Sequence, residues 1–493
     1  MMAGAVDLQR IVSRSIDGGA VHPLSVASID GTAFGLGSTP DGEKLLISGR
    51  AGCGTGFETE KSIAVEGGEL VVCALTPANA QAIRRVLPFT APRPVGGRDV
   101  TIGLGDRLGR AGAGHIAAIR GRRAWPVLAQ QSVRELTLTG RTFGDVLDAS
   151  TWAVLRGGFS EPWGADGDHL KTVQWVATAL TAGLTMITAD VSDHLHGEFA
   201  ARSEAEVRAA YAALDGAYRQ EVEARYLSSG VPVTFTTLEL ARTVLVYRDA
   251  VTQAVRLYRA GASIRGEAGF DFELSIDETE YPTTPQAHVF MAMESRRAGV
   301  ALTSLAPRFV GEFQKAIDYI GGLKEFEESF AAHASLASAL GYRISVHSGS
   351  DKFSVFPSVG RLSGGRFHLK TAGTSWLEAL RVVAAADPEL FRALYALALE
   401  RYPNARKLYH VTPDLGALPV AAGLSAADAS ALLDDVNARR VLHITYGEML
   451  AVPDLKARLF AVLSRRADEY AKGLEVHIGK HLALLGIGPR EKA

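Results

Sequence analysis

The sequence predicts an α/β fold: a (β/α)8 TIM-like barrel with a small β-rich N-terminal domain and a helical insertion. From about residue 99, short apolar strands alternate with helical segments, the rhythm of a parallel sheet wrapped by helices. Roughly eight such units occupy about 350 residues, which fits a closed barrel with insertions better than an open sheet, because successive strands tend to be neighbours. Before that point the pattern is short, alternating and punctuated by Gly, Pro and Asp.

The N-terminal domain is placed at residues 1–98. Lys44-Leu-Leu-Ile-Ser48 and Glu69-Leu-Val-Val-Cys-Ala-Leu75 read as strands. Gly52-Cys-Gly-Thr-Gly56 lacks the lysine of a phosphate loop and reads as a tight turn, and Pro88, Pro92 and Pro94 read as a linker. The catalytic barrel is placed at 99–493. Its strands are expected at Val100 to Leu104, Gly158 to Trp163, Leu184 to Ala189, Phe270 to Ile276, Val300 to Leu305, Tyr342 to Val346, Phe367 to Thr371 and Lys407 to Val411. Gly103-Leu-Gly-Asp-Arg-Leu-Gly109 is one residue too long for a dinucleotide fingerprint.

Between the third and fourth of these strands, about residues 195–262 form a helical insertion. Val207, Tyr211, Leu214, Tyr218, Val222 and Tyr226 recur at helical spacing behind a Ser203-x-x-Glu206 capping box, and a second helix spans Leu238 to Tyr258. This reads as a hairpin packed on the barrel, with a lid or an oligomer contact as the sharper option. From Ala421 onward the chain is amphipathic and helical, a closing cap without chemistry.

Composition excludes several classes of function. The 493 residues are 47% hydrophobic and 22% charged, enough to bury a full core in more than one domain. A net charge of −2 offers no footprint for nucleic acid or an anionic membrane surface, while a small anionic substrate stays open. Cys53 and Cys73 alone cannot build a disulfide scaffold, so a reducing cytoplasm is the expected compartment. Met1 to Gly19 is interrupted by Asp7, Arg10, Arg14 and Asp17, unlike a signal peptide. No run of about 18 uncharged apolar residues suggests a membrane span.

The chemistry is expected at strand ends, where an α/β barrel opens its mouth. Tyr342-Arg-Ile-Ser-Val346 runs into His347-Ser-Gly-Ser-Asp-Lys352, placing a histidine at such a tip. Gly164-Ala-Asp-Gly-Asp-His-Leu-Lys171 reads as a polar turn in which Asp168 and His169 are adjacent, one suited to a metal and the other to a substrate hydroxyl. An N-cap role for Asp168 is the structural alternative. In Phe270-Asp-Phe-Glu-Leu-Ser-Ile-Asp-Glu278, Phe272, Leu274 and Ile276 alternate with Glu273, Ser275 and Asp277. Glu273 then faces the interior, where burial raises a carboxyl toward neutrality and suits it to acid/base work. Asp277 and Glu278 compete for that role. Arg308 and Gln314 follow the fifth strand, and Lys352 and Lys370 leave the next two, positioned for a substrate carboxylate or phosphate. His194, His196, His288, His368 and His410 can approach the same mouth.

Three of these segments, Gly164 to Lys171, His347-Ser-Gly-Ser-Asp-Lys-Phe353 and His368-Leu-Lys-Thr-Ala-Gly-Thr-Ser375, resemble the bacterial tagaturonate epimerase family, from about Thr101 to Leu415. The resemblance implies a divalent-metal enzyme interconverting tagaturonate and fructuronate, with tagatose and fructose as further substrates. It implies His169, His347 and Gln314 as metal ligands, Asp168 as proton acceptor and Glu273 as proton donor. Mn, Co, Ni or Zn suits mixed imidazole and amide ligands.

In uronate numbering the ketone is C5 and the inverted centre C3, so that C–H is not acidified. The expected route is therefore retro-aldol cleavage: Asp168 or Glu273 takes the C3 hydroxyl proton while a metal holds the ketone oxygen, and the aldehyde turns before re-addition. Transient oxidation is less attractive without a dinucleotide fingerprint. The alternatives are a ketose isomerase or 3-epimerase of the xylose-isomerase type and, outside catalysis, a sugar-acid binding protein. Expected partners are a hexuronate or ketohexose and, compatibly, further copies of the chain.

Overall fold

The computed structural model describes residues 2–490. Eight parallel strands close into a barrel in which each pairs with the next and the last with the first. They are β1 (Val100–Leu104), β2 (Trp125–Ser132), β3 (Gly164–Leu170), β4 (Met186–Asp190), β5 (Asp271–Ile276), β6 (Ser304–Pro307), β7 (Arg343–Val346) and β8 (Phe367–Thr371). The expected barrel forms, but two of its members differ from those expected.

Gly158 to Trp163 is not a strand. Gly158 takes the left-handed conformation that ends the helix Phe143–Gly157, and the chain becomes a strand only at Gly164, within the stretch expected to be a turn. Lys407 to Val411 is not a strand either, and β2 supplies the missing member. Pro126 pairs with Ile102 near the start of β2, where a strand tolerates proline.

An antiparallel sheet precedes the barrel, built from Ala20–Val21, Ala27–Ile29, Thr32–Thr39, Gly42–Gly49, Lys61–Val65 and Gly68–Cys73. Phe34, Leu45, Ile47 and Val71 from this sheet pack with Ile83 and with Leu155 of the helix Phe143–Gly157, tying sheet to barrel. Between β4 and β5 the insertion contains Glu204–Ala212, Gly216–Tyr226 and Thr237–Arg265. The apolar run expected as one helix is two, because Asp215 caps a new start by accepting from the Tyr218 amide at 2.8 Å. Val207, Tyr211, Val222 and Tyr226 meet Leu240 and Val244 together with Val289, Phe290 and Leu336, which packs the insertion onto helices of the barrel. Among the described residues no helix is long and apolar enough to cross a membrane.

Side chains alternate along each strand. On β5, Phe272, Leu274 and Ile276 join the core beneath the helices, which sends Asp271, Glu273 and Ser275 into the barrel. The interior is thus strongly polar, and its charges are paired because an isolated buried ion is costly. The N-terminal end is sealed by Asp271, whose carboxylate accepts the amides of Val95 and Gly96 at 2.7 Å, and by Arg343, which donates to Thr101 at 2.7 Å. A Cβ at Gly96 would lie 2.2 Å from the Asp271 carboxylate. Gly96→Ala is expected to displace that plug and cost about 1–3 kcal/mol in denaturant unfolding, leaving the distant mouth intact.

Candidate active site at the barrel mouth

Neighbouring residues in a regular strand point to opposite faces, yet Asp168 and His169 both line one cavity. A bulge reconciles the two facts. Between the pairs Ile187 with Gly167 and Ala189 with Leu170, β4 advances two residues while β3 advances three. His169 takes a left-handed φ of 51°, a conformation uncommon for non-glycine residues. His347, just past β7, is followed by Ser348 with φ 50°. The two imidazoles expected to meet do so, with ring centroids 5.0 Å apart and planes at 70°.

Donor atoms of His169, His347 and Asp277 lie within 4.8 Å of one another, and a second group of His169, Asp190 and Glu278 shares His169. Each imidazole is braced by a carboxylate. Glu273 lies 2.7 Å from His347 Nε2, leaving Nδ1 toward Asp277 at 3.0 Å. Asp190 lies 3.4 Å from His169 Nδ1, leaving Nε2 toward the cavity cluster. Two histidines oriented by carboxylates, with a third carboxylate between them, suit a first-row divalent ion.

Burial opposes a charge on His169, but Asp168, Asp190, Asp277 and Glu278 outweigh it and raise the imidazole to about 10. His347 is raised too, burial being overcome chiefly by Asp277. Burial likewise opposes ionisation of Asp277, yet both histidines and Ser275 hold its carboxyl well below the usual range. The site therefore collects more negative than positive charge, and holds protons where a cation would sit.

Behind this cluster Lys370 is buried among three carboxylates: Asp168 at 2.6 Å, Glu273 at 2.9 Å and Asp166 at 3.0 Å. Burial would raise Glu273, as expected from the strand alternation alone, but Lys370 and His347 reverse the direction and keep it ionised. Asp168 is similarly held low by Lys370, His169 and His347 against burial. The carboxyl pushed up is Asp166, to about 6, through burial and the neighbouring Asp168 and Glu273.

The cavity above has a volume of about 390 Å³, room for a six-carbon sugar acid with water. Asp168, His169, His347, Lys370 and Gln314 line it, whereas Glu273 is fully buried and braces His347 from beneath. Gln314 lines the cavity with its amide nitrogen donating to Glu312 at 2.5 Å and Thr412 at 2.9 Å, and among the imidazoles and carboxylates Asp277 groups with the two histidines. Lys352 is turned away from the cavity, its ammonium donating to the carbonyls of Gln314, Ile317 and Ser350. Burial lowers Lys352 to about 7.

Of the further histidines, His410 lies on the cavity rim, while His368 is buried in the barrel against Thr101 and His288 pairs with His333. His443, from the C-terminal cap expected to be inert, also reaches the cavity wall. Sequence reasoning misses Asp190 and His443. For Asp190 a signal exists, since it directly follows the expected strand ending at Ala189. For His443 there is none. A third group, Asp351, His477 and His481, is internally satisfied: His481 accepts from the Asp351 amide, and Asp351 pairs with Arg439 at 2.8 Å.

Residues 22–485 match the family model described as tagaturonate epimerase. A tagaturonate/fructuronate epimerase from Thermotoga maritima is 38% identical over 472 residues, covering 94% of this chain and 96% of its own. The glycerol-complexed crystal structure of fructuronate-tagaturonate epimerase UxaE from Cohnella laeviribosi matches with a TM-score of 0.91 at 41% identity. It covers 99% of this chain and 100% of that one. The native crystal structure of the same protein gives the same values.

Proposed function

The chain belongs to the tagaturonate epimerase family, and we propose that it interconverts D-tagaturonate and D-fructuronate by metal-assisted retro-aldol cleavage at the barrel mouth. The reading is carried by the meeting of His169, His347 and Asp277 beside Asp168 in one cavity.

His169, His347 and Asp277 would hold a divalent ion, which supplies a Lewis acid for the negative charge developing at the ketone oxygen. Asp168 is ionised, the state a general base requires, and is fixed by Lys370 at 2.6 Å. It accepts the C3 hydroxyl proton. The C3–C4 bond pair passes to C4, giving an aldehyde at C3 and an enediolate across C4 and C5. Rotation about C2–C3 presents the other aldehyde face, and re-formation of the bond inverts C3. As the bond re-forms, Asp168 gives the proton back to the C3 alkoxide, so that the site ends the cycle as it began. Glu273 orients His347 rather than reaching the sugar.

The test is to incubate metal-loaded and chelator-stripped protein with fructuronate, and with fructose, and follow the products by NMR. Only the loaded protein is expected to form tagaturonate, without deuterium entering C–H positions from D2O. Deuterium at the carbon next to the ketone would support the isomerase alternative, and hexuronate binding without turnover in either state would support a binding protein.

Metal loading itself is expected to depend on pH. His169 is raised to about 10, so a proton occupies it at neutral pH and must leave when an ion binds. Affinity is expected to rise with pH, by about tenfold per unit for each proton displaced. Calorimetry in buffers of different ionisation heats measures that proton release directly.

A further inference from the structure

Both lysines expected to hold the substrate carboxylate are already engaged, Lys370 by three carboxylates and Lys352 by three carbonyls. Arg107, also on the cavity wall, is neutralised by Glu135 at 2.9 Å and stacked 3.8 Å from the Tyr446 ring. Three cavity cations remain. Arg308 follows β6, and its Nε is buried with no hydrogen-bond partner. Lys315 donates to Ser348 at 2.7 Å and, among the described residues, pairs with no carboxylate. Arg134 stacks 4.5 Å from Tyr409, has a buried Nε without a partner, and comes no closer than 4.0 Å to Glu278.

The cavity is therefore polarised. Its floor gathers carboxylates around two imidazoles and attracts a cation, while its wall gathers under-neutralised cations and attracts an anion. A sugar acid carries the matching pair of ends, an oxygen-rich ketone terminus and a carboxylate. We propose that Arg308 and Lys315, supported by Arg134, bind the C1 carboxylate of the hexuronate and set the preference for a sugar acid over a neutral ketohexose. The inference rests on the proposed function for the identity of the substrate.

The experiment compares Arg308→Leu, Arg308→Lys and Lys315→Met with the wild type as metal-loaded proteins. KM for D-fructuronate is read from turnover, and dissociation constants for D-fructuronate and D-fructose from calorimetry. The expected result is about a 10- to 100-fold weakening for fructuronate in Arg308→Leu and Lys315→Met. Fructose affinity should move less than about threefold, and Arg308→Lys should recover part of the loss because it keeps charge but not the planar fork. Equal weakening for both sugars, or none for either, overturns the carboxylate site. Wild-type protein that binds fructuronate but does not convert it removes the proposed reaction, and the calorimetric contrast then still decides the anion site. A variant that fails to fold is recognised by its altered circular dichroism before any binding is read, and Arg308→Lys then decides between the outcomes.

Discussion

Asp168→Asn is expected to lower kcat for fructuronate by about a thousandfold while leaving metal content unchanged. Asparagine keeps the size and the contact with Gln130 but cannot take a proton. Asp168 is also outside the donor cluster of His169, His347 and Asp277, so the ion should load normally. His169→Gln supplies the contrast, since it should lose metal and activity together. Both readouts are available from one preparation, elemental analysis for the ion and NMR for turnover. Activity within about tenfold of wild type in the asparagine variant would end the assignment of Asp168 as base.

The two histidines and Asp168 were legible because a polar cluster at an expected strand end is rare, and the alternation that exposed Glu273 was legible because strands repeat every two residues. The fold misled at the places where the interior of the barrel is polar. β3 is written in Gly, Asp and His because it turns carboxylates inward and carries the bulge at Asp168 and His169, so its composition imitates a turn. β2 hid behind Pro126, Gln130 and Gln131, both glutamines being buried. Lys407 to Val411 imitated a strand because Tyr409 and Val411 are buried against the C-terminal helices. No single-sequence pattern distinguishes a lysine that caps three carbonyls from one that awaits a substrate. Lys352 and Lys370 therefore looked like anchors, and Arg308 and Lys315 did not.

Lys370→Met is expected to destabilise the folded protein by about 3–5 kcal/mol, the usual cost of stranding a buried ion. The ammonium touches Asp166, Asp168 and Glu273 within 3.0 Å and also donates to Thr188. Asp166 and Glu273 have no exposed surface, so water cannot replace the lost cation. The loss should depend on pH, and its sign follows from the carboxyls. Asp166 already binds a proton more tightly folded than unfolded, at about 6 against 3.8, so its own contribution is present below 3.8 and fades as pH rises through 6. Removing Lys370 moves Asp168 and Glu273 in the same direction, because burial then raises them unopposed by the ammonium. The variant should accordingly be closer to wild type at pH 5.5 than at pH 8, as measured by urea unfolding at both values. Adding Glu273→Gln and Asp166→Asn should recover part of the stability by removing the stranded charges, without restoring activity, because Asp168 is then neither positioned nor held ionised. A loss below about 1 kcal/mol, or one equal at the two pH values, would mean that the carboxylates are solvated or protonated without the lysine.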